Sequence, residues 1–209
     1  MSIELIEKNI VILGNFKPNI FDKFFFIKNE LAKEIDFTEK SFFLSELSVL
    51  ETDEFVVNIS QNRIIINTKN NNKNNNIQKI AATILKNSEV DVNVIGYNFK
   101  WLLFVDQDLN SFSKGLFFAE KNETINKYFE TSETVYGYYV LRDYEYSRMN
   151  LDIKPSLVQK ILTNEKLEVL TFDFNFHIEN KFLREDLIDK VLDYENFTSI
   201  AKKIVSEYE

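Results

Sequence analysis

The stretch VLTFDFNFHIE, residues 169–179, decides the fold class. Leu170, Phe172, Phe174, Phe176 and Ile178 alternate with Thr171, Asp173, Asn175, His177 and Glu179. This period of two puts one set on a core and the other in water. A strand so divided belongs to a sheet covered on one face only, the habit of antiparallel sheets. Downstream, Leu183, Leu187, Ile188, Val191 and Leu192, then Phe197, Ile200, Ala201, Ile204, Val205 and Tyr208, recur at helical spacing. The two sets are out of phase, which predicts a break at Asp193–Asn196.

Upstream, Thr134–Lys154 has strand chemistry, with Tyr138, Val140, Tyr144 and Tyr146 on one face and a parity slip before Met149, Leu151 and Ile153. Pro155 is expected to end it, followed by a short helix through Leu157, Val158, Ile161 and Leu162. Val90–Val105 reads as a long strand whose parity changes near Gly96, the mark of a bulge. Phe42–Leu50, Glu54–Ser60 and Arg63–Thr68 form a meander, and Asn9–Phe16 a first strand. One helix is expected from Pro18 through Phe21, Phe24, Phe25, Leu31, Ala32 and Ile35, and another from Asn76 through Ile77, Ile80, Ala81, Ile84 and Leu85 to Asn87. Asn70–Asn76 is a polar tract, expected as a surface loop. Few strands are separated by the helix that a parallel crossover needs, so the expected fold is α+β: a largely antiparallel sheet with helices packed on one face. A single domain over residues 1–209 is expected, with a possible subdivision near 106–133, and the order allows two similar halves meeting there.

Composition narrows the chemistry. The 209 residues include 33 acidic and 25 basic side chains, for a net charge of −8, which repels phosphate backbones and makes duplex nucleic acid a poor partner. With no cysteine and one histidine, disulfides, thiolate nucleophiles and multi-imidazole zinc sites are excluded. The four glycines, Gly14, Gly96, Gly115 and Gly137, lie too far apart for a phosphate cradle, and no cofactor is expected. Residues 1–9 lack the basic start and apolar run of a secretory signal, and no window reaches the ~18–20 apolar residues of a membrane span. A cytoplasmic protein that does not enter membranes is the expectation.

Four constellations carry possible chemistry. Asp173, His177 and Glu179 share a strand face and are the catalytic candidates, but Asp173 and His177 are separated by roughly 13 Å along a strand, and no nucleophile elbow accompanies them. The solvated face of a sheet explains them as well. Asp106, Asp108 and Asn110 begin like a calcium loop and are the metal candidates, yet Ser111, Lys114 and Phe117 stand where the loop needs glycine, a ligand and a bidentate acid. Tyr138, Tyr144 and Tyr146 form an aromatic segment suited to a protein or peptide, or to cross-strand packing. Glu185, Asp186 and Asp189 make an acidic helix face suited to a basic partner or to solvent.

VLTFDFNF, followed by a polar segment and a terminal helical pair ending FTSIAKKIVSEYE, together with the mid-chain VIGYNFKWLL, resembles a sporadically distributed family of uncharacterised bacterial proteins of similar length. The chain lacks that family's usual arginine-rich strand context. The resemblance implies no catalytic residues; the variable genomic neighbourhoods of the family imply roles against phage or with mobile elements.

Two functions are expected from this reading. The first is a non-enzymatic interaction module that presents a surface to another protein, of basic character, in a defence, toxin-neutralising or assembly system. The alternative is a small enzyme using carboxylates or Mg²⁺, through Asp173, His177 and Glu179 or Asp106 and Asp108. The 20 Phe and nine Tyr also leave room for a homo-oligomer.

Overall fold

A computed structural model describes residues 1–71, 76–87, 91–118, 123–129, 131, 134–159 and 166–209, with the side chains of 124–126 outside the description. Its strands are β1 (Ser2–Asn15), β2 (Phe42–Phe43), β3 (Leu47–Glu51), β4 (Phe55–Ser60), β5 (Arg63–Thr68), β6 (Asp91–Phe104), β7 (Tyr138–Tyr144), β8 (Ser147–Gln159) and β9 (Lys166–Glu179). The helices are α1 (Lys23–Lys28), α2 (Ile77–Asn87), α3 (Leu109–Phe117), α4 (Glu123–Phe129), α5 (Arg184–Leu192) and α6 (Tyr194–Ser206). All the strands join one nine-stranded sheet in the order β2-β3-β4-β5-β1-β6-β9-β8-β7, and each adjacent pair is antiparallel.

That order is a repeat. In each half a long strand leads through a helical segment to a meander, of four strands in the first half and three in the second, whose last strand returns to pair with the long one, and helix follows. β1 heads the first half and β6 the second, and the halves meet where these two pair. The repeat boundary in the chain therefore falls between α2 and β6. It does not fall within 106–133, where α3 and α4 take the place that α1 holds in the first half.

One face of the sheet is covered. α2 lies over β5 and β1, α5 packs on α2, α6 lies over β6 and β9, and α3 touches β9. Ile10, Ile12, Ile64 and Ile66 point into this layer from the first half, and Tyr97, Phe99, Phe172 and Phe176 from the second. The second half has an aromatic core: Phe197 of α6 sits 4.9 Å from Phe176, 5.2 Å from Tyr97, 5.4 Å from Tyr146 and 5.9 Å from Tyr144 by ring centroids. Such tilted and edge-to-face pairs add to the area they bury. Much of the aromatic content of the sequence is absorbed here.

Several expectations are corrected. The helix predicted from Pro18 to Ile35 is only α1, flanked by 3-10 turns at Pro18–Ile20 and Glu34–Asp36. Leu31 N–H donates to Phe26 O at 2.9 Å and Glu30 takes φ = 57°. This left-handed stop reverses the chain after Phe26 is buried and leaves Ile35 89% exposed. Phe42–Leu50 divides into β2 and β3. The parity slip after Tyr146 is a hairpin turn, with Glu145 at φ = 51°. Pro155 does not end its strand: β8 continues to Gln159, because beyond Ile153 it has β9 on one side only, and an edge accommodates a proline's missing N–H. Leu157 and Val158 are therefore strand residues, while Ile161 and Leu162 lie outside the described residues, as does the middle of the Asn tract. The bulge in β6 falls at Asn93, between the pairs Leu13–Val94 and Gly14–Val92, and not at Gly96. A second bulge, at Ile6 of β1, was not anticipated.

Two variants test this packing. Phe197→Ala should lose about 3–5 kcal/mol in urea unfolding by opening a cavity among four rings. Glu30→Gly should gain about 0.5–1 kcal/mol by relieving the left-handed conformation, read as a higher urea midpoint with unchanged slope.

Candidate functional site

On the other face Leu102, Val169 and Thr171 are buried at one end, and the centre is a row of asparagines. Strand alternation gives each long strand one amide at the same level: Asn67 on β5 lies opposite Asn9 on β1, Asn9 opposite Asn98 on β6, Asn98 opposite Asn175 on β9, and Asn175 opposite Asn150 on β8. The row crosses five strands and the seam between the halves, spanning about 19 Å at the usual strand spacing.

The amides are chained. Asn175 Nδ2 donates to Asn98 Oδ1 at 2.6 Å, Asn98 Nδ2 to Asn9 Oδ1 at 2.7 Å, and Asn9 Nδ2 to Glu7 Oε1 at 2.8 Å. Asn150 Nδ2 reaches Asn175 Oδ1 at 3.5 Å. A carboxylate only accepts, so Glu7 orients Asn9, and each amide in turn orients the next. At the far end Asn150 Oδ1 is buried with no donor among the described residues. The bulge at Ile6 is what turns Glu7 onto this face, because Leu5 opposite Trp101 faces the helices and one extra residue shifts the parity before Glu7 meets Lys100.

Around the row lies a shallow cleft of about 590 Å³, lined also by Val11, Ile65, Tyr139, Lys100, Asp152 and Asp173. Along one side runs a charged row in which Lys100 Nζ is 3.2 Å from Asp173, and Lys154 is 3.4 Å from Asp173 and 2.6 Å from Asp152. The hydrogen bond to Asp152 raises the Lys154 ammonium above its ordinary range. On the other side Gly96 stands between Val11 and His177. A Cβ there would meet Asn175 Nδ2 at 3.5 Å and Val11 Cβ at 4.0 Å, ordinary contacts. The fold thus tolerates alanine at this position, and the glycine leaves a notch beside the amides where another molecule can approach closely.

The residues singled out in the sequence are mostly dispersed. Asp173 and His177 do face the open side, but Asp173 is neutralised by its two lysines, and Glu179 pairs with Lys181 at 2.7 Å. That hydrogen bond holds the Glu179 carboxyl below its usual range. No hydrogen bond joins Asp173, His177 and Glu179 to one another. Asp106 accepts from the Met1 ammonium at 2.7 Å, and Asp108 caps α3 through Ser111 N–H at 2.8 Å, which lowers its pKa. Their calcium-loop reading gives way to a helix start, since Asn110 and Ser111 already lie in α3. Among the described residues no three of His, Asp and Glu are grouped to hold a metal.

The tyrosines separate as well. Tyr144 packs into the aromatic core, and Tyr138 stacks on Phe117 with its ring centroid at 6.1 Å, half exposed. Tyr146 donates to Asp193 Oδ2 at 2.8 Å beneath Lys190, whose ammonium is 3.9 Å from the ring centre. Burial, then that hydrogen bond, pushes the Tyr146 phenol upward. Glu185, Asp186 and Asp189 remain exposed on α5, the first two at its N-terminal turn, where negative charge suits the helix dipole. No described helix is long and apolar enough to cross a membrane.

No protein-family model, curated protein or solved structure matches this chain.

Because Asn98 and Asn175 are half-buried and not fully enclosed, water can replace lost partners. Asn98→Ala should therefore cost only about 1 kcal/mol in urea unfolding although it removes two bonds. A much larger loss would mark the row as a structural brace.

Proposed function

We propose that this chain is a non-enzymatic protein-interaction module that docks a partner on the asparagine-bearing face of its sheet. One observation carries the reading: side-chain amides of four central strands are chained in one direction across the seam of the two halves, on the sheet face opposite the aromatic core. Held by their neighbours, these groups lose little side-chain freedom when a partner arrives. Their remaining donors and acceptors suit polar backbone or side-chain groups, and the glycine notch admits close approach.

The partner is a protein of basic overall character. A net charge of −8 draws such a molecule in over distances of a Debye length and opposes duplex nucleic acid. A nuclease toxin or a nucleic-acid-binding subunit has the charge this requires, which fits a neutralising or assembly role.

The test combines pull-down from the native host with variants on the two faces. Wild type should retain a basic protein whose association weakens with salt. Asn175→Arg should abolish retention while keeping the native circular dichroism spectrum, and Glu185→Gln/Asp189→Gln on α5 should leave it intact. Retention that survives Asn175→Arg but is lost with the α5 variant would move the interface to the helical side and refute the proposal.

A further inference from the structure

The bulge that turns Glu7 outward turns Lys8 inward. Lys8 lies opposite Phe99 on the covered face, at a level where its strand neighbours are apolar, and is only 4% exposed. It has no hydrogen-bond or ion-pair partner among the described residues. Its Nζ is not one of the fully buried unpartnered atoms, so the stem is packed while the ammonium opens on a cleft.

Two further groups close to it are equally unmatched. Trp101, diagonal to Lys8 across the strand pair, is 5% exposed, and its Nε1–H has no acceptor. Glu195, in the first turn of α6, has a buried Oε1 with no donor. All three line one cleft of about 720 Å³, between the start of β1 and α6, with Glu4 and Lys202 on its wall. A buried polar atom left without a partner is destabilising. Two such atoms beside an unpaired ammonium on one cleft are the pattern of a site prepared for a ligand.

The chemistry of the ligand follows from the inventory. Lys8 and Trp101 need an acceptor, Glu195 needs a donor, and Glu4 and Lys202 cancel, so the cleft favours neither a simple anion nor a simple cation. We infer that this cleft binds a small zwitterion of the α-amino-acid class, its carboxylate received by Lys8 and Trp101 and its ammonium by Glu195. The site is on the opposite face of β1 from the amide row and is independent of the docking proposal.

Trp101 is the sole tryptophan of the chain, so its emission reports the cleft directly. The full chain is titrated with L-alanine and L-leucine to millimolar concentrations, with sodium acetate and methylammonium chloride as half-ligands. A saturable change in Trp101 emission and a raised melting temperature are expected with the amino acids and not with the half-ligands. Lys8→Met should fold, melt no lower than wild type and bind at least about tenfold more weakly, a loss of ~1.4 kcal/mol. Glu195→Gln should weaken binding similarly and keeps the test open if Lys8→Met does not fold. Absence of any saturable response to either amino acid, unchanged affinity in the variants, or an acetate response equal to that of L-alanine would overturn the inference.

Discussion

The antiparallel pairing of β1 with β6 is the constraint on which the rest of the molecule depends. Among the described residues it is the only strand pairing between the two halves, and it converts two small sheets into one of nine strands, with enough area for a layer of helices. Its register is interrupted twice, at Ile6 and at Asn93. Each interruption exchanges the faces of the residues that follow, because strand side chains alternate with a period of two. Were Ile6 paired regularly and not bulged, Glu7 would enter the helical layer and Lys8 would stand on the asparagine face. The same bulge therefore supplies the carboxylate that anchors the amide chain and the ammonium that enters the cleft beside α6.

The two faces treat polar groups in opposite ways. On the asparagine face nearly every amide and charge has a partner: lysines bridge Asp152 and Asp173, and the asparagines hold one another. In the covered layer Trp101 and Glu195 carry buried atoms without partners on the cleft that Lys8 also lines. A satisfied polar surface open to water is inexpensive to maintain and ready to exchange its outer hydrogen bonds. Buried polar groups without partners are a standing cost. The first situation suits a protein surface that docks and releases, the second a small ligand that completes a pocket.

Sheet strands and amphipathic helices were legible wherever burial is one-sided. β4, β5, β9 and α2 follow directly from their periodicity, and the break between α5 and α6 falls at Asp193, where two apolar faces lose phase. Pro155 misled because its local meaning depends on whether β8 has a neighbour on that side, a property of the other strands. α1 stopped early because Phe26 is held under the first half and Glu30 accepts a left-handed conformation, and neither fact is written in the spacing of the apolar residues. The aspartates and histidine that attracted chemical attention proved dispersed, while Asn9, Asn98 and Asn150 drew none. In a chain rich in asparagine, each of these is merely one polar residue at a wet position of its own strand.

What the sequence by itself determined is the parity of each strand and the phase of each helix, and with them an α+β protein having one wet sheet face and no thiol or multi-histidine chemistry. These are local properties, set by the order of apolar and polar side chains. Only the tertiary structure decided which strands lie side by side and at what level. Cross-strand neighbours lie far apart in the chain, by 89 residues for Asn9 and Asn98. The amide row, the twofold arrangement of the meanders and the cleft at Lys8 all arise from that register.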